Sequence, residues 1–544
     1  MKADFVYLMA RRWWATFSVL VVLTGLALTP RPMLFTAPKP PPGPDRFAVI
    51  TVDYTAYTWW MAEWATNQVV CSIVVDHEGL PRGGEVYRDC GKTIYDKWMK
   101  QPSCTNRSGE GCKGYYLFLV SSEPASKQIP ATLPAAAAWL SVENCNPVLS
   151  MATNVCEQLP VLVVSGQEPL PNERIIRVEG TLDNEPFACE GQTCKIALTP
   201  TPLTGVPIEF WVYSSYGDSS VVFKGQVRVV QANLGDPDHV YWYVDVLSPQ
   251  WQGAPVATCA DSWEVFPPVG GLPTWLSTPS SSTELNSDIP YTYLAANLIR
   301  QGVVDASSCP DGGLLPDGGA NPCGLDAARP AVAEWQNRFD GLIFSTARET
   351  GVPAYLLKNL FARESQFWPG ISHNTGDIGL GQLTENGADT TLLWNPSFYA
   401  QFCPFVLPGE TCGKGYLHLK PKEQQQLRLA LINSVNATCE NCPLGIDLNQ
   451  ADFSVQVFAH TLLANCEQAG RVVRNLTKKA PGVSATYEDL WKFTLVNYNA
   501  GPGCLADALT AASAQKKTFT WENVAPFLPP ACQGAVDYVN DIAK

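Results

Sequence analysis

Glu364 is a carboxylate on what the sequence predicts to be the apolar face of a helix. Residues 353–367 read PAYLLKNLFARESQF, and the leucines and Phe361 of this stretch recur at helical spacing, which Glu364 continues. A carboxylate on such a face is desolvated, and the negative end of the helix dipole also disfavours its ionisation. Both effects raise its pKa, so we predict that Glu364 holds a proton near neutral pH, as a general acid must. Alone, the pattern also fits a glutamate that solvates the end of a surface helix.

Two later segments supply polar groups that could surround a substrate. Residues 376–383 read GDIGLGQL, where three glycines allow turns and close approach of the backbone to a ligand, and Gln382 adds an amide. Residues 490–503 read LWKFTLVNYNAGPG, an apolar helical run that ends in Tyr498 and Asn499. We expect the polar end of this helix to face a cleft.

The order of these segments resembles the soluble lytic transglycosylase family, over about residues 331–544. That family has a Glu-Ser pair, a Gly-Leu-Met-Gln turn and a Tyr-Asn-Ala-Gly segment, and the spacing between the first two also agrees. The matching motifs are Glu364-Ser365, Gly379-Leu380-Gly381-Gln382 and Tyr498-Asn499-Ala500-Gly501. The C-terminal stretch AVDYVNDIAK, which contains Tyr538 and Val539, is similar to the closing helix of the family.

The resemblance implies cleavage of the β-1,4 bond between N-acetylmuramic acid and N-acetylglucosamine in peptidoglycan. Glu364 would protonate the leaving oxygen and then accept a proton from the muramic acid 6-hydroxyl, which attacks its own anomeric carbon and leaves a 1,6-anhydro product. Tyr498 would hydrogen-bond the glutamate or the substrate. The residues expected to bind substrate or shape the cleft are Ser365, Gly379, Leu380, Gln382, Tyr498 and Asn499. No metal or other cofactor is implied.

The chain departs from the family pattern at three positions. Gly381 replaces the usual methionine, which would remove a wall of the sugar groove, and His373 and Asp377 stand where serine and alanine are common. The spacing of Asp377 from Glu364 is similar to that of a second, water-positioning carboxylate in goose-type lysozymes. Asp377 could therefore activate water, or it could cap the glycine-rich turn. Three functions stay open: a lytic transglycosylase, a goose-type hydrolase of the muramidase or chitinase kind, and a catalytically silent wall-binding protein.

The N-terminal residues predict an exported protein of the cell envelope, membrane-anchored or secreted. Basic residues Lys2, Arg11 and Arg12 precede an apolar run over residues 13–28, which is the polarity of a translocation signal. The run is short for a membrane span and long for the apolar core of a signal peptide. A retained anchor is favoured over cleavage, because the alanines near the run offer only poor cleavage sites.

Eighteen cysteines in an exported chain predict a disulfide framework. Cys439 and Cys442 form a CxxC pair, but no second such pair lies nearby, so a structural disulfide is favoured over zinc or redox chemistry. Four further close pairs are bridgeable: Cys104 with Cys112, Cys189 with Cys194, Cys309 with Cys323, and Cys403 with Cys412.

The charge of the chain limits its partners. The net charge is −14, and only 16% of the residues are charged. This argues against nucleic acid and anionic membrane surfaces, because both attract basic patches. The expected partners are peptidoglycan glycan strands, bound through aromatic rings and hydrogen bonds, and a membrane reached through the N-terminal segment. For the two N-terminal modules described next, we expect a spacer role or docking of a protein partner.

The sequence predicts a multidomain chain, with N-terminal mixed α/β and β-sandwich modules followed by a mainly α-helical, lysozyme-like catalytic domain. In the first module, residues 54–67 are aromatic at near-helical spacing between strand-like stretches. An insertion between residues 396 and 445 carries four cysteines and is predicted to form a flap over one end of the groove. The predicted units are an anchor or signal with a Pro-rich spacer (1–44), a mixed α+β module with disulfides (45–171), an immunoglobulin-like β module (172–266), a linker (267–287) and the lysozyme-like transglycosylase domain (288–544).

Overall fold

The computed structural model describes residues 46–101, 111–232, 240–371 and 376–544, together with Gly43 and Cys104. The predicted anchor at residues 13–28 and His373 lie outside these residues. Within them, an N-terminal β-rich region precedes a C-terminal helical region, as the sequence predicts. No helix in this part of the chain is both long enough and apolar enough to cross a membrane.

The strands, in chain order, are β1 (Phe47–Glu63), β2 (Val69–Val75), β3 (Tyr115–Thr132), β4 (Ala137–Val148), β5 (Thr153–Gln167), β6 (Ile175–Leu182), β7 (Glu185–Glu190), β8 (Thr193–Ala197), β9 (Val206–Ser214), β10 (Phe223–Ala232) and β11 (Tyr241–Leu247). The first three form an antiparallel sheet in the order β2-β1-β3. Helix α1 (Gly83–Lys100) covers one face of it through Met61, Ile73 and Val86.

The near-helical prediction for residues 54–67 is wrong, because most of that stretch belongs to β1. Its Thr, Tyr and Trp side chains favour strands, and pairing on both edges overrides the helical spacing.

The other eight strands form one antiparallel sheet in the order β4-β5-β11-β10-β9-β6-β7, with β8 beside β5. Strand β5 pairs with β11 over residues 154–156 and with β8 over residues 161–165, so it changes partner along its length. A disulfide between Cys189 and Cys194 joins β7 to β8. The sheet therefore curls into a half-barrel. Its β-rich character is confirmed, while the immunoglobulin-like identity stays a prediction.

The division between the sheets differs from the predicted boundary at residue 171. Strands β4 and β5 lie within the range predicted for the first module, yet they pair with strands of the second sheet. The disulfide Cys145–Cys156 joins these two strands to each other. The boundary between the two sheets lies between β3 and β4. Local sequence patterns do not predict this boundary, because a strand pairs with strands that lie far from it in the chain.

Arg46, just before β1, ties the two sheets together. It is 2% exposed, and its guanidinium donates two hydrogen bonds to each of Glu168 and Asp218. Glu168 follows β5, and Asp218 lies between β9 and β10. Since a buried charge is tolerated only when it is paired, these bonds fix the start of the first sheet against the second.

The later helices, in chain order, are α2 (Cys259–Trp263), α3 (Thr292–Arg300), α4 (Pro322–Asn337), α5 (Asp340–Thr350), α6 (Ala354–Ser365), α7 (Glu385–Trp394), α8 (Pro396–Phe402), α9 (Gly409–Cys412), α10 (Pro421–Val435), α11 (Leu448–Thr477), α12 (Pro481–Ser484), α13 (Tyr487–Ala514), α14 (Trp521–Val524) and α15 (Gly534–Ile542). The long helices α11 and α13 pack together at the centre, and α11 also contacts α5, α7 and α10. Their buried faces form one continuous hydrophobic core.

The predicted linker, residues 267–287, is part of this core rather than a free connection. Trp275, Leu276 and Leu285 are buried in it. The segment also accepts hydrogen bonds at the start of α6, where Tyr355 N donates to Ser277 O. The Pro and Ser content of the segment predicts a linker. The segment packs on the helices instead, because burial of its three apolar side chains stabilises that packing.

Nine disulfides join the eighteen cysteines, all of which lie within the described residues. All four predicted local pairs are among them, and Cys439 pairs with Cys442. A long-range disulfide, Cys259–Cys466, links α2 to α11. This number of disulfides indicates an oxidising, extracellular environment.

A buried ion pair holds α6, the helix that carries Glu364. Lys358 Nζ donates to Asp340 Oδ1 at 2.7 Å, and both side chains are buried. The same ammonium group donates to Leu285 O and Asn337 Oδ1. The pair therefore connects α6 to α4, α5 and the segment 267–287.

We predict that Lys358→Met lowers the free energy of unfolding by about 3–5 kcal/mol, because it leaves the Asp340 carboxylate buried without a partner. Lys358→Met/Asp340→Leu should recover more than half of that loss. Chemical denaturation followed by circular dichroism measures both. The exposed pair Arg329–Asp288 offers the control, since Arg329→Met should change stability by less than about 1 kcal/mol. Equal stability of Lys358→Met and the control would contradict the prediction.

Candidate active site

Glu364 lies on helix α6, as the sequence predicts. Its apolar stripe is fully buried: Leu356, Leu357, Leu360 and Phe361. The helix ends at Ser365, because Gln366 adopts a left-handed conformation with φ 50°. Glu364 therefore lies in the last turn, half-buried, at the wall of a cleft.

The surroundings of Glu364 favour its protonated form. Burial raises the pKa of Glu364 to about 7. A hydrogen bond from the Tyr538 hydroxyl to Oε1 and the charge of Arg363 oppose this rise, while the charge of Asp377 adds to it. Burial is the largest of these effects, so Glu364 can exchange a proton near neutral pH.

Tyr538, on α15, is a residue of this site whose role the sequence did not reveal. The sequence predicts only that Tyr538 belongs to a C-terminal helix, whereas its hydroxyl contacts the carboxylate directly. Burial raises the pKa of Tyr538 well above its usual value, so the hydroxyl stays protonated and acts as a donor. Arg363 lies over its ring, 5.6 Å from the centroid, and pairs with Asp541 at 3.3 Å.

Of the two contacts expected for Tyr498, the hydrogen bond to Glu364 is not formed, while a contact with a substrate stays a prediction. Its hydroxyl donates to Gly381 O at 2.7 Å and not to Glu364. The bond fixes the glycine-rich loop against α13. Burial raises the pKa of Tyr498, and the nearby charge of Glu364 adds to the rise, so this hydroxyl also stays protonated.

Ser365, Gly379 and Leu380 position the loop and so shape the cleft without lining it, and their direct contact with a substrate stays a prediction. Ser365 is 3% exposed, and its hydroxyl donates to Leu380 O at 2.7 Å. The Leu380 side chain is fully buried. Gly379 has a φ of 80°, and a Cβ there would lie 2.7 Å from Val435 O. The sequence motif therefore marks these residues correctly as a unit, but their contacts are with the protein.

The neighbours of Gly381 leave no room for a side chain at this position. A Cβ at this position would lie 2.4 Å from the Phe458 ring and 2.7 Å from the Tyr498 hydroxyl. The space that a side chain at this position would need is thus occupied by Phe458, which is fully buried on α11. The expected loss of a groove wall stays a prediction.

The cleft itself has a volume of about 660 Å³ and is open to solvent. It brings together five of the predicted residues: Glu364, Asp377, Gln382, Tyr498 and Asn499. Gln382 donates its Nε2 to Gly379 O at 2.8 Å, which holds the side chain at the cleft wall. The polar residues that sequence analysis missed are Thr384, Asn386, Asp389, Thr390, Thr461, Asn465 and Asn497.

Two of these missed residues carry a signal in the sequence. Thr461 and Asn465 are four residues apart within an apolar stretch of α11, which places both on one face of the helix. Polar residues at that spacing in a buried helix indicate a polar environment at that face, and here the environment is the cleft. Asn497 directly precedes the Tyr498 motif on α13.

A break in α13 forms the far wall of the cleft. Gly501 has a φ of 84°, and Pro502 follows it. Because proline lacks an N–H and clashes with the preceding turn, the helix bends here, and glycine accepts the positive φ without strain. Asn499 is exposed before this bend.

The insertion between residues 396 and 445 is attached to α7 at the edge of the cleft. Arg428, on α10, pairs with Asp389 at 2.9 Å and with Glu385 at 3.1 Å, and the Tyr416 hydroxyl donates to Asp389. Glu385 and Asp389 therefore bind side chains of the insertion and hold it against α7. Its role as a flap over the groove stays a prediction.

Among the described residues, no cluster of three or more His, Cys, Asp or Glu side chains is placed to hold a metal ion. No protein-family model matches the chain, and no curated protein matches its sequence.

We predict that Glu364→Gln stabilises the protein increasingly as pH rises. The folded-state pKa of about 7 lies above the ordinary value of 4.5, so the stability contributed by the protonated carboxyl is complete below pH 4.5 and is lost as pH rises through about 7. Glutamine stays neutral. Its advantage should grow by up to about 3 kcal/mol between about pH 5 and pH 8. Denaturation at several pH values measures this, with Glu410→Gln, at an exposed position, as the control. A constant difference across this pH range would contradict the raised pKa.

Proposed function

We propose that the chain is an exported enzyme that cleaves peptidoglycan glycan strands, a lytic transglycosylase with Glu364 as general acid and then base. One observation carries the proposal: a half-buried glutamate, whose pKa is raised to about 7 by burial, lies at the wall of an open polar cleft. Such a carboxyl can give up and take back a proton near neutral pH. The three ordered motifs support the choice of substrate, and the nine disulfides support export.

The reaction transfers two protons, one from Glu364 and one to it. Glu364 donates its proton to the glycosidic oxygen as the bond from that oxygen to the anomeric carbon breaks. The 6-hydroxyl oxygen of the same N-acetylmuramic acid forms a new bond to that carbon, and its proton passes to the Glu364 carboxylate. No water is consumed, so the product carries a 1,6-anhydro ring and the enzyme returns to its protonated form.

Tyr538 orients the Glu364 carboxyl, because its hydroxyl donates to Oε1. Tyr498 and Ser365 hold the loop that forms one wall, while Gln382 and Asn499 present amides to the glycan. Neutral amides and hydroxyls suit a glycan, because they can pair with its many hydroxyl and acetamido groups.

A hydrolase is the second candidate. Asp377 lines the same cleft, and its charge contributes to the raised pKa of Glu364. Two carboxyl groups beside one glycosidic bond allow a general acid and a water-activating base. On this alternative, the product would gain a water molecule and end in a reducing sugar.

Digestion of purified peptidoglycan tests the proposal. We expect muropeptides with 1,6-anhydro ends by mass spectrometry, and loss of at least about a hundredfold in rate for Glu364→Gln, because the proton donor is removed. Glu410→Gln, at an exposed position, controls for the loss of one charge. Reducing ends with added water would favour the hydrolase. Retained activity of Glu364→Gln would overturn its role, and an inactive wild type on every wall preparation would favour a silent binding protein.

Asp377→Asn separates the two candidates. Asparagine keeps an oxygen able to accept hydrogen bonds in the turn, so the lytic transglycosylase should lose less than about threefold in rate and keep its anhydro products. A general base would lose on the order of a hundredfold or more. Rates on peptidoglycan and circular dichroism of the variant measure this. A large loss in a folded variant would establish Asp377 as a base and favour hydrolysis.

A further inference from the structure

Arg363, next to Glu364 on α6, is held beside the active site but does not line the cleft. Its Nε lies 3.3 Å from Asp541 Oδ2, and its guanidinium lies over the Tyr538 ring, 5.6 Å from the centroid. Both partners belong to α15. The cleft is lined by Glu364 and not by Arg363, whereas a separate groove of about 500 Å³ is lined by both Arg363 and Asp541. Arg363 therefore acts on Glu364 from outside the cleft.

Helix α15 is itself fixed on α6. Asn359 Nδ2 donates to Ile542 O at 2.9 Å, and Tyr538 is 2% exposed. The Tyr538 ring therefore cannot move away from Arg363 without loss of buried contacts. The Tyr538 hydroxyl donates to Glu364 Oε1. One continuous set of contacts thus runs from the Arg363 ion pair through Tyr538 to the carboxyl of Glu364.

The groups that face Glu364 differ in how they act on its proton. Burial has the largest effect and raises the pKa of Glu364. The Tyr538 hydrogen bond and then the Arg363 charge lower this pKa, while the Asp377 charge raises it. Tyr498, on α13, is neutral because burial and the Glu364 charge raise its own pKa. Of these groups, Arg363 supplies the positive charge.

We propose that Arg363 is a positioning residue, which Asp541 holds against Tyr538 so that its positive charge stabilises the carboxylate left when the general acid gives up its proton. The inference rests on the proposed function. Burial alone favours the neutral acid and hinders the loss of the proton that the first step requires. A fixed positive charge nearby offsets part of that cost. Arg363 thus balances the two forms between which Glu364 alternates.

Other roles of Arg363 make different predictions. Exposed ion pairs contribute little to stability, and the Arg363 and Asp541 side chains are each 43% exposed. If the pair only joined α6 to α15, its removal would change neither the pKa of Glu364 nor the rate at the optimal pH. If Arg363 bound the glycan, its removal would raise KM and leave kcat unchanged. Lys544 offers the matched control, because its Nζ pairs with the other carboxylate oxygen of Asp541 at 2.8 Å.

Rates of the full chain on soluble peptidoglycan strands, measured across neutral pH, test the inference. Arg363→Met keeps an apolar side chain over the tyrosine ring and removes the charge. We expect kcat to fall about fivefold, KM to stay within about twofold, and the alkaline limb of the pH profile to rise by about 0.5 pH unit, because Glu364 then holds its proton more tightly. Asp541→Asn should move the limb in the same direction. Arg363→Lys keeps the charge and should recover most of kcat, and Lys544→Met should match the wild type.

A second measurement reads the pKa of Glu364 without a substrate. The stability difference between Glu364 and Glu364→Gln levels off as pH rises through the folded-state pKa of the glutamate. In the Arg363→Met background this levelling point should lie about 0.5 pH unit higher than in the wild type, and in the Lys544→Met background it should stay in place. Chemical denaturation at several pH values, followed by circular dichroism, measures it.

Three results would overturn the inference: an unchanged levelling point in Arg363→Met, an equal shift in Lys544→Met, or a rise in KM in place of the fall in kcat. Failure of the proposed function is separate. There the wild type cleaves no wall preparation, while the levelling point still rises in Arg363→Met and not in Lys544→Met.

Discussion

The desolvation of the Glu364 carboxyl is the constraint on which the site depends. A carboxyl group in water has a pKa too low to donate a proton at neutral pH, and only removal from water raises it far enough here. That removal needs protein atoms on several sides. They come from α6, from the glycine-rich loop and from α13 and α15, which lie far apart in the chain. The four segments are held together by hydrogen bonds from side-chain hydroxyls, among them Ser365 to Leu380 and Tyr498 to Gly381.

The position of α6 in turn depends on contacts outside the cleft. The buried Lys358–Asp340 pair and the apolar side chains of residues 267–287 pack on the helix. The disulfide Cys259–Cys466 ties α2 to the central helix α11, whose Thr461 and Asn465 line the cleft. The stretch before residue 288 is thus a structural part of the helical region, and a truncation there would remove core side chains.

The cleft is polar but contains few charged groups apart from its carboxylates. Asparagine and threonine are the most frequent residues of its lining, and the net charge of the chain is −14. Such a surface does not attract a polyanion, and it offers donors and acceptors to a neutral glycan. The amides of Asn465 and Asn497 are held by each other, so their orientation is set before a ligand arrives. Preorganised groups of this kind lose little entropy on binding.

The sequence alone determined the features that depend on local spacing. The helix that carries Glu364, its apolar stripe, the local disulfides and the order of β-rich and helical regions all follow from periodicity or from short separations along the chain. It also placed Gln382 and Asn499 at the cleft. Features that depend on which distant segments meet were decided only by the tertiary structure. Tyr538 and not Tyr498 contacts Glu364, Phe458 fills the space above Gly381, and β4 and β5 join the second sheet. Spacing along the chain indicates on which face of a helix or strand a side chain lies. Which segment packs against that face depends on packing and burial over the whole molecule.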